Sequence, residues 1–429
     1  MKLNLNPVKG TCDYLPSDAA EREMVRQKIL GVYQKNGYQL ITTPALEHIE
    51  LLSSSDGGDN LRLMFKTLKR GEKLDLSSPN LTENDLVEEG LRYDLTVPLA
   101  RFYCNNREKL TLPFKSIQID NAFRAERPQR GRLRQFVQCD IDVFGDKSKN
   151  AEIDLLVTAI EAYATLGFSD ITIRVSDRQA LNQIMAWAGF GESEFKTIAV
   201  SVDKIADIGA EGVAKELEEK GFESKKIQKL LSAVANVQKN GIDALAGCGV
   251  SAEIVEGLNG IIKSANQGAM QAISLLKLEN PELEQIEVKN YKIEFDISIV
   301  RGQGYYTGTV FEVYTSSFGR AIGGGGRYDK MVEKLVGQQV PAVGISMGFE
   351  PITMLLREMG KTKQSKKLVA LFYENEPFEQ VLGEKQGLMH NANVSVFQKP
   401  KNMKNALDRL KANGFSGYTF VGKGEIIEL

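Results

Sequence analysis

FRAERPQRGRLRQFVQCDIDVFG, residues 123–145, carries five arginines within eleven residues: Arg124, Arg127, Arg130, Arg132 and Arg134. The chain of 429 residues has a formal net charge of −2, so this guanidinium is concentrated locally rather than being part of a basic background. Side chains on a strand alternate between its two faces. From Arg134 onward one face carries Phe136, Gln138, Asp140, Asp142 and Phe144, and the other carries Gln135, Val137, Cys139, Ile141 and Val143. The second set is core-forming, so the first is a polar row backed by a buried face, which suits the floor of a site. Upstream, Arg124 and Glu126 share a face, and Phe123 and Ala125 take the other. Between the two strands lies RPQRGRL, a basic loop long enough to reach over a ligand. Arginine makes planar, bidentate contacts with phosphate, so the pattern points to a polyanion. The plain alternative is a solvated hairpin with incidental charge.

The flanking sequence has the patterning of a globular protein of two or three domains. No apolar run approaches the ~18–20 residues of a membrane span, and MKLNLNPVKG has no apolar stretch of the kind a secretion signal needs. Cys12, Cys104, Cys139 and Cys248 are scattered without a C-x-x-C pair, the usage expected of a reducing, cytoplasmic compartment without structural zinc. His48 and His390 are the only histidines and stand far apart, so catalysis is expected to rest on arginines, carboxylates and tyrosines. No G-x-x-x-x-G-K-[ST] occurs, which excludes a P-loop.

Residues 17–37 read as a helix opened by Ser17 and Asp18 and stopped by Gly37. YQLITTPAL (38–46) reads as a strand with Pro44 near its end. Residues 86–104 begin as a strand, and Pro98 can open a helix. Residues 114–146 read as strand, loop, strand, and 151–166 as an amphipathic helix. From 178 to 284 helix-forming segments punctuated by glycine dominate. Strand patterns return from 291, residues 341–358 read as strand then helix, and the polar, basic stretch 360–367 reads as a linker. Beyond it the order β-α-β-α-β predicts a small α/β domain.

FRAERPQRGRLRQFVQCDIDVFG resembles motif 2 of the class II aminoacyl-tRNA synthetases, in the form typical of histidyl-tRNA synthetases. Other stretches agree in order. KGTCDYLP (9–16) resembles that family's N-terminal signature, YQLITTPALE (38–47) its motif 1, and LRYDLTVPLARF (91–102) its segment for the substrate amino group. RGQGYYTGTVFE (301–312) and GGGRYD (324–329) resemble its two histidine signatures, and PAVGISMGFEPI (341–352) its motif 3. The resemblance implies an α+β fold: an antiparallel sheet of six or seven strands flanked by helices, with a helical insertion and a C-terminal anticodon-binding-like α/β domain. The boundaries it implies are a catalytic domain over 1–177 and 285–360, an insertion over 178–284 and the last domain over 366–429.

The implied reaction joins histidine to ATP as histidyl-adenylate, releases pyrophosphate, and passes the histidyl group to the 3′ end of tRNA(His). The resemblance implies Arg124 and Arg301 as catalytic residues at the α-phosphate. It places Asp94, Thr96 and Gln138 near the α-amino group of histidine, and Asp142, Tyr306 and Tyr328 around its ring. Arg124, Glu126, Gly325 and Gly326 are implied for ATP, Gln129, Arg130 and Arg132 for tRNA, and Mg²⁺ as companion of ATP. Motif 1 implies a homodimer; no membrane partner is expected.

Three departures stand out. Gln303-Gly304 replaces the family's usual Leu/Met-Asp pair, with little expected effect. Pro351 stands where motif 3 normally ends in an arginine that holds the γ-phosphate. The chain stops at GEIIEL, shorter than the family's usual last domain, so weakened anticodon reading is an expectation. Pro351 and the short C-terminus leave a second reading open: a non-catalytic, histidine-binding paralogue resembling the regulatory subunit of ATP phosphoribosyltransferase. The retained Arg124 and Arg301 favour the ligase. A tRNA-binding module without catalysis would not explain the histidine signatures.

Overall fold

The computed structural model describes residues 3–54, 58–77, 79–300, 304–361 and 367–429. It divides into two compact units, one formed by Lys9–Thr11 and Lys28–Leu355, the other by Met1–Val8, Cys12–Gln27 and Leu356–Leu429.

The larger unit is built on a sheet whose described strands are β1 (Gln39–Leu40), β2 (Phe114–Phe123), β3 (Gln135–Phe144), β4 (Ile171–Asp177), β5 (Tyr291–Phe295), β6 (Thr309–Thr315), β7 (Phe318–Arg327) and β8 (Ala342–Gly348). Their spatial order is β1-β2-β3-β8-β7-β6-β4-β5. The central ladders are antiparallel, from β2 across to β4. Both outer pairs, β1 with β2 and β4 with β5, are parallel. The sheet therefore has eight described strands and is mixed, where six or seven antiparallel strands are expected from the sequence. A parallel pair needs a long crossover. The chain supplies two: the segment between β1 and β2 that includes the helix Thr96–Asn106, and the run of helices between β4 and β5.

That run comprises Arg178–Ala188, Phe195–Val202, Ile205–Glu219, Ser224–Asn240 and Ala252–Glu279. Asp177 caps the first, its Oδ1 accepting the Gln179 N–H at 2.7 Å and the Ala180 N–H at 3.3 Å. Such a cap satisfies donors that the first helical turn leaves open. Gly189, at φ +101°, ends that helix.

The expected strand over 38–46 is interrupted after Leu40 and resumes at Leu46–His48. Proline lacks an N–H for the ladder, and the carbonyls of Thr43 and Pro44 turn instead to the buried guanidinium of Arg92, at 2.7 and 3.3 Å. Leu46–His48 joins Val87–Leu91 and Lys66–Leu68 in a small antiparallel sheet.

Register sets the site. Opposite residues on neighbouring strands share a face. One row runs Glu312, Gly324, Ser346, Asp140, Gln118, and the next runs Val310, Gly326, Gly344, Asp142, Ser116. The opposite face is closed by the helix Asn150–Thr165, whose Tyr163 donates its hydroxyl to the Ile322 carbonyl at 3.1 Å. Over the site face a core gathers Tyr93, Leu99, Tyr103, Phe114, Phe144, Tyr305, Tyr306 and Tyr328. Burying a large apolar side chain is worth ~1.5–3 kcal/mol, so this cluster holds its tyrosine hydroxyls in fixed places.

The smaller unit contains a sheet ordered Ala392–Gln398, Lys367–Tyr373, Gly417–Phe420, Ile427–Glu428, parallel except at the last pair. The helices Phe378–Leu388 and Met403–Ala412 complete the β-α-β-α-β order read from the sequence. Within the same unit Arg357 pairs with Asp18 at 2.7 Å and Glu21 at 2.9 Å.

Candidate active site

Arg124 follows β2 directly. Its N–H donates to the Arg134 carbonyl at 2.8 Å, so the ladder continues one residue past the strand. Its Nε donates to the Tyr93 carbonyl at 2.9 Å, and its guanidinium lies 5.1 Å from the Phe136 ring centroid. Two neutral neighbours therefore aim a cation at the polar row. The basic loop is not open. Gln129 and Arg132 exchange both backbone hydrogen bonds, at 3.0 and 2.9 Å, around Gly131 at φ +73°. Arg134 N–H donates to the Gly10 carbonyl at 2.7 Å, tying the loop's exit to the N-terminal signature.

A cavity of ≈ 500 Å³ opens beside this loop, lined by Arg124, Glu126, Arg132, Phe136, Gln138, Glu312, Gly323, Gly324, Ser346, Glu350 and Pro351. Glu350 accepts the Val137 N–H at 3.1 Å and so anchors its helix to β3.

Asp94, Asp140 and Asp142 are buried carboxylates, and Asp140 stands opposite the cavity-lining Ser346. Asp94 Oδ1 accepts the Val97 N–H at 3.2 Å, and its Oδ2 accepts the Tyr305 hydroxyl at 3.3 Å. Tyr328 donates to Asp142 Oδ1 at 2.6 Å. Gln138 Nε2 donates to Ser346 Oγ at 3.3 Å, and its Oε1 is buried without a partner among the described residues. Burial raises the Asp94 carboxyl above its usual range, against the bonds from Val97 and Tyr305 and the charge of Arg124. Burial, then the charge of Asp142, raises Asp140 further. Burial pushes Asp142 up to about 7, against the Tyr328 bond. Buried charge without a counter-ion is costly. The trio and the orphaned Gln138 oxygen together suit a cationic hydrogen-bond donor of ammonium type.

The structure brings Arg124, Glu126, Asp94, Gln138, Asp142, Tyr306 and Tyr328 to one region, with Thr96 opening the helix whose Val97 N–H bonds to Asp94. Gly326 shares the site face, and a Cβ there would stand 2.8 Å from the Tyr306 ring. Gly323 and Gly325 turn to the other face by strand alternation, a Cβ on Gly323 meeting the Tyr163 hydroxyl at 2.7 Å, while Gly324 is on the site face and lines the cavity together with the backbone of Gly323. Gln129 and Arg130 are at the loop tip, whereas Arg132 is on the cavity wall, 3.8 Å from Glu126. Arg301 and Gln303 lie outside the described residues.

Sequence reading missed Asp140, Ser346 and Tyr305 as site residues. Asp140 had a signal, since it alternates with Gln138 and Asp142. Ser346 had none, because only the pairing of β8 with β3 sets it opposite Asp140. The arginine of GGGRYD has another task. Arg327 is buried against Glu152, with Nε and Nη2 contacts of 2.8 and 2.6 Å. It ties β7 to the helix behind the sheet.

The sequence model described as Histidyl-tRNA synthetase matches residues 10–352. The chain belongs to the histidyl-tRNA synthetase family. A histidine–tRNA ligase of Leifsonia xyli is 36% identical over 424 residues, covering 97% of this chain and 95% of its own. Among solved structures, histidyl-tRNA synthetase from Nostoc sp. PCC 7120 superposes with a TM-score of 0.73 at 24% identity, covering 100% of this chain and 97% of that one. A Bacillus halodurans protein titled ATP phosphoribosyltransferase regulatory subunit/histidyl-tRNA synthetase gives 0.74 at 18% identity, covering 98% of both chains. At these identities the two structures speak for the synthetase fold alone. No helix among the described residues is long and apolar enough to cross a membrane.

Proposed function

We propose that this chain is a histidine–tRNA ligase, as its family membership implies, and that the site just described performs both steps. The observation that carries the assignment of the site is the buried Asp94–Asp140–Asp142 trio with the orphaned Gln138 oxygen, next to an arginine-lined cavity. In this reading the α-ammonium of histidine meets Asp94, Thr96 and Gln138, and its ring meets Asp142, Tyr306 and Tyr328. A polar site matched to imidazole strands its own buried groups when an analogue binds, which is a strong basis for rejection.

ATP takes the cavity, with Arg124 at the α-phosphate, Glu126 beside it and the backbone of the glycine strand, including Gly325 and Gly326, beneath the nucleotide. The histidine carboxylate attacks the α-phosphorus. A carboxyl–phosphoryl bond forms, the bond to the β-phosphate oxygen breaks, and pyrophosphate leaves. Charge builds at phosphorus, so fixed cationic donors lower the barrier. Arg124 is one, and Arg301 is assigned as the second by its motif. A terminal ribose hydroxyl of tRNA then attacks the acyl carbon: the ester C–O bond forms, the acyl carbon's bond to the phosphate oxygen breaks, and AMP leaves with the hydroxyl proton on its phosphate. Gln129 and Arg130, at the loop tip, are assigned to the acceptor end of tRNA. Arg132 is assigned there too by its motif, although its place on the cavity wall suits the nucleotide as well. Mg²⁺ is treated as part of the nucleotide substrate; among the described residues no group of three or more His, Cys, Asp or Glu is assembled to hold a metal.

The reading extends to a cytoplasmic homodimer, with a catalytic domain over 1–177 and 285–360, an insertion over 178–284 and an anticodon-binding-like domain over 366–429. Histidine-dependent exchange of pyrophosphate into ATP tests the function. Absence of exchange alongside tight histidine binding would instead support the regulatory-subunit reading, for which Pro351 is the specific observation.

A further inference from the structure

A triphosphate carries more negative charge than Arg124 at the α-phosphate answers, and its terminal phosphates need cationic donors of their own. Arg124 and Arg132 stand there with Glu126, Glu312 and Glu350, and Arg132 is already 3.8 Å from Glu126. At one end Pro351 contributes no charge. Three features converge at that end. A Cβ on Gly131, in the turn of the basic loop, would stand 3.5 Å from Phe318 Cζ and 3.6 Å from Pro351 Cβ. The Arg130 guanidinium lies 5.9 Å from the Phe318 ring centroid. Arg320, two residues along β7 and next to the cavity-lining Ala321, donates from Nη1 to Gln129 Oε1 at 2.8 Å. Arg320 is exposed and has no carboxylate partner among the described residues.

We propose that Arg320 binds the terminal phosphates of ATP, supplying at the Pro351 end the cation that Pro351 does not. Its present partner is a neutral amide. A guanidinium bond to phosphate is charge-assisted on both sides and stronger, so the nucleotide takes Arg320 from Gln129 by a side-chain rotation at the rim. The inference rests on the reading that ATP is the substrate of this cavity.

The test is calorimetric titration of the full chain with Mg²⁺–ATP and, separately, with AMP. Arg320→Ala should weaken ATP binding about tenfold, the size of one charge-assisted contact, and leave AMP within about twofold. Arg320→Lys should recover part of the loss. ATP affinity unchanged in Arg320→Ala, or AMP affinity reduced as much as that of ATP, overturns the assignment. Histidine-dependent pyrophosphate exchange is measured on the same wild-type sample. If ATP and AMP separate as expected but exchange is absent, the Arg320 assignment stands and the ligase reading falls. If the wild type binds no ATP, both fall.

Discussion

Tyr328 donates its hydroxyl to Asp142 Oδ1 across 2.6 Å, and both side chains are buried. The tyrosine belongs to the GGGRYD signature and the aspartate to motif 2, and they meet because β7 and β3 both pair with β8. Tyr328 is held in turn by aromatic neighbours, with Phe144 and Tyr305 rings edge-on at 6.0 and 6.1 Å.

The first prediction concerns pH. Burial holds the Asp142 carboxyl near 7 in the fold, against an unfolded value close to 3.8. Between those values the folded state binds the extra proton, so stability falls as pH rises through this window. The ligand-free protein should melt at a lower temperature at pH 8 than at pH 5, and Asp142→Asn should flatten that difference. Equal slopes for the two proteins would show that Asp142 does not titrate here.

A second concerns the space above Gly344. A Cβ at this position would lie 1.8 Å from Asp142 Oδ1. Gly344→Ala should displace the carboxylate, cost about 1–3 kcal/mol in urea unfolding, and raise the KM for histidine more than that for ATP. A wild-type histidine KM would mean that the Asp142 position is unimportant to substrate binding.

The arginines of the basic stretch should separate by step. Arg124→Ala should lower pyrophosphate exchange about 10²–10³-fold, the scale of one lost oxyanion donor. Arg130→Ala should leave exchange nearly intact, slow transfer to tRNA and flatten its salt dependence. Loss of exchange in Arg130→Ala with transfer from preformed adenylate intact would move the loop tip to the nucleotide site.

Arg327 is predicted to matter for folding rather than chemistry. Removing one partner of a buried pair strands the other charge, at about 3–5 kcal/mol. Arg327→Met should cost that much in denaturant titrations while the surviving folded fraction keeps its kcat. A large kcat loss at undiminished stability would place Arg327 in the reaction instead.

Much of this was legible in the chain. Alternation along 134–144 separated a polar row from a core face, and Gly37 marks a helix end, at φ +80°. These are local properties, set by the backbone geometry of a few consecutive residues. The helical stretch between β4 and β5 was visible as composition, but that it serves as the crossover for a parallel pair was not. The basic loop was legible as long enough to reach over a ligand, but the tight turn around Gly131 that places Arg132 on the wall and Arg130 at the tip was not.

What the sequence determined by itself was the family, the order of the motifs and the chemical inventory of arginines, aspartates and tyrosines, because each is written in neighbouring residues. What only the tertiary structure decided was their juxtaposition. Ser346 opposite Asp140, Tyr305 on Asp94 and Arg320 on Gln129 are separated in sequence by 206, 211 and 191 positions. Pairings at such range are set by strand register and by the packing of the shared core, and neither is encoded in any single stretch of the chain.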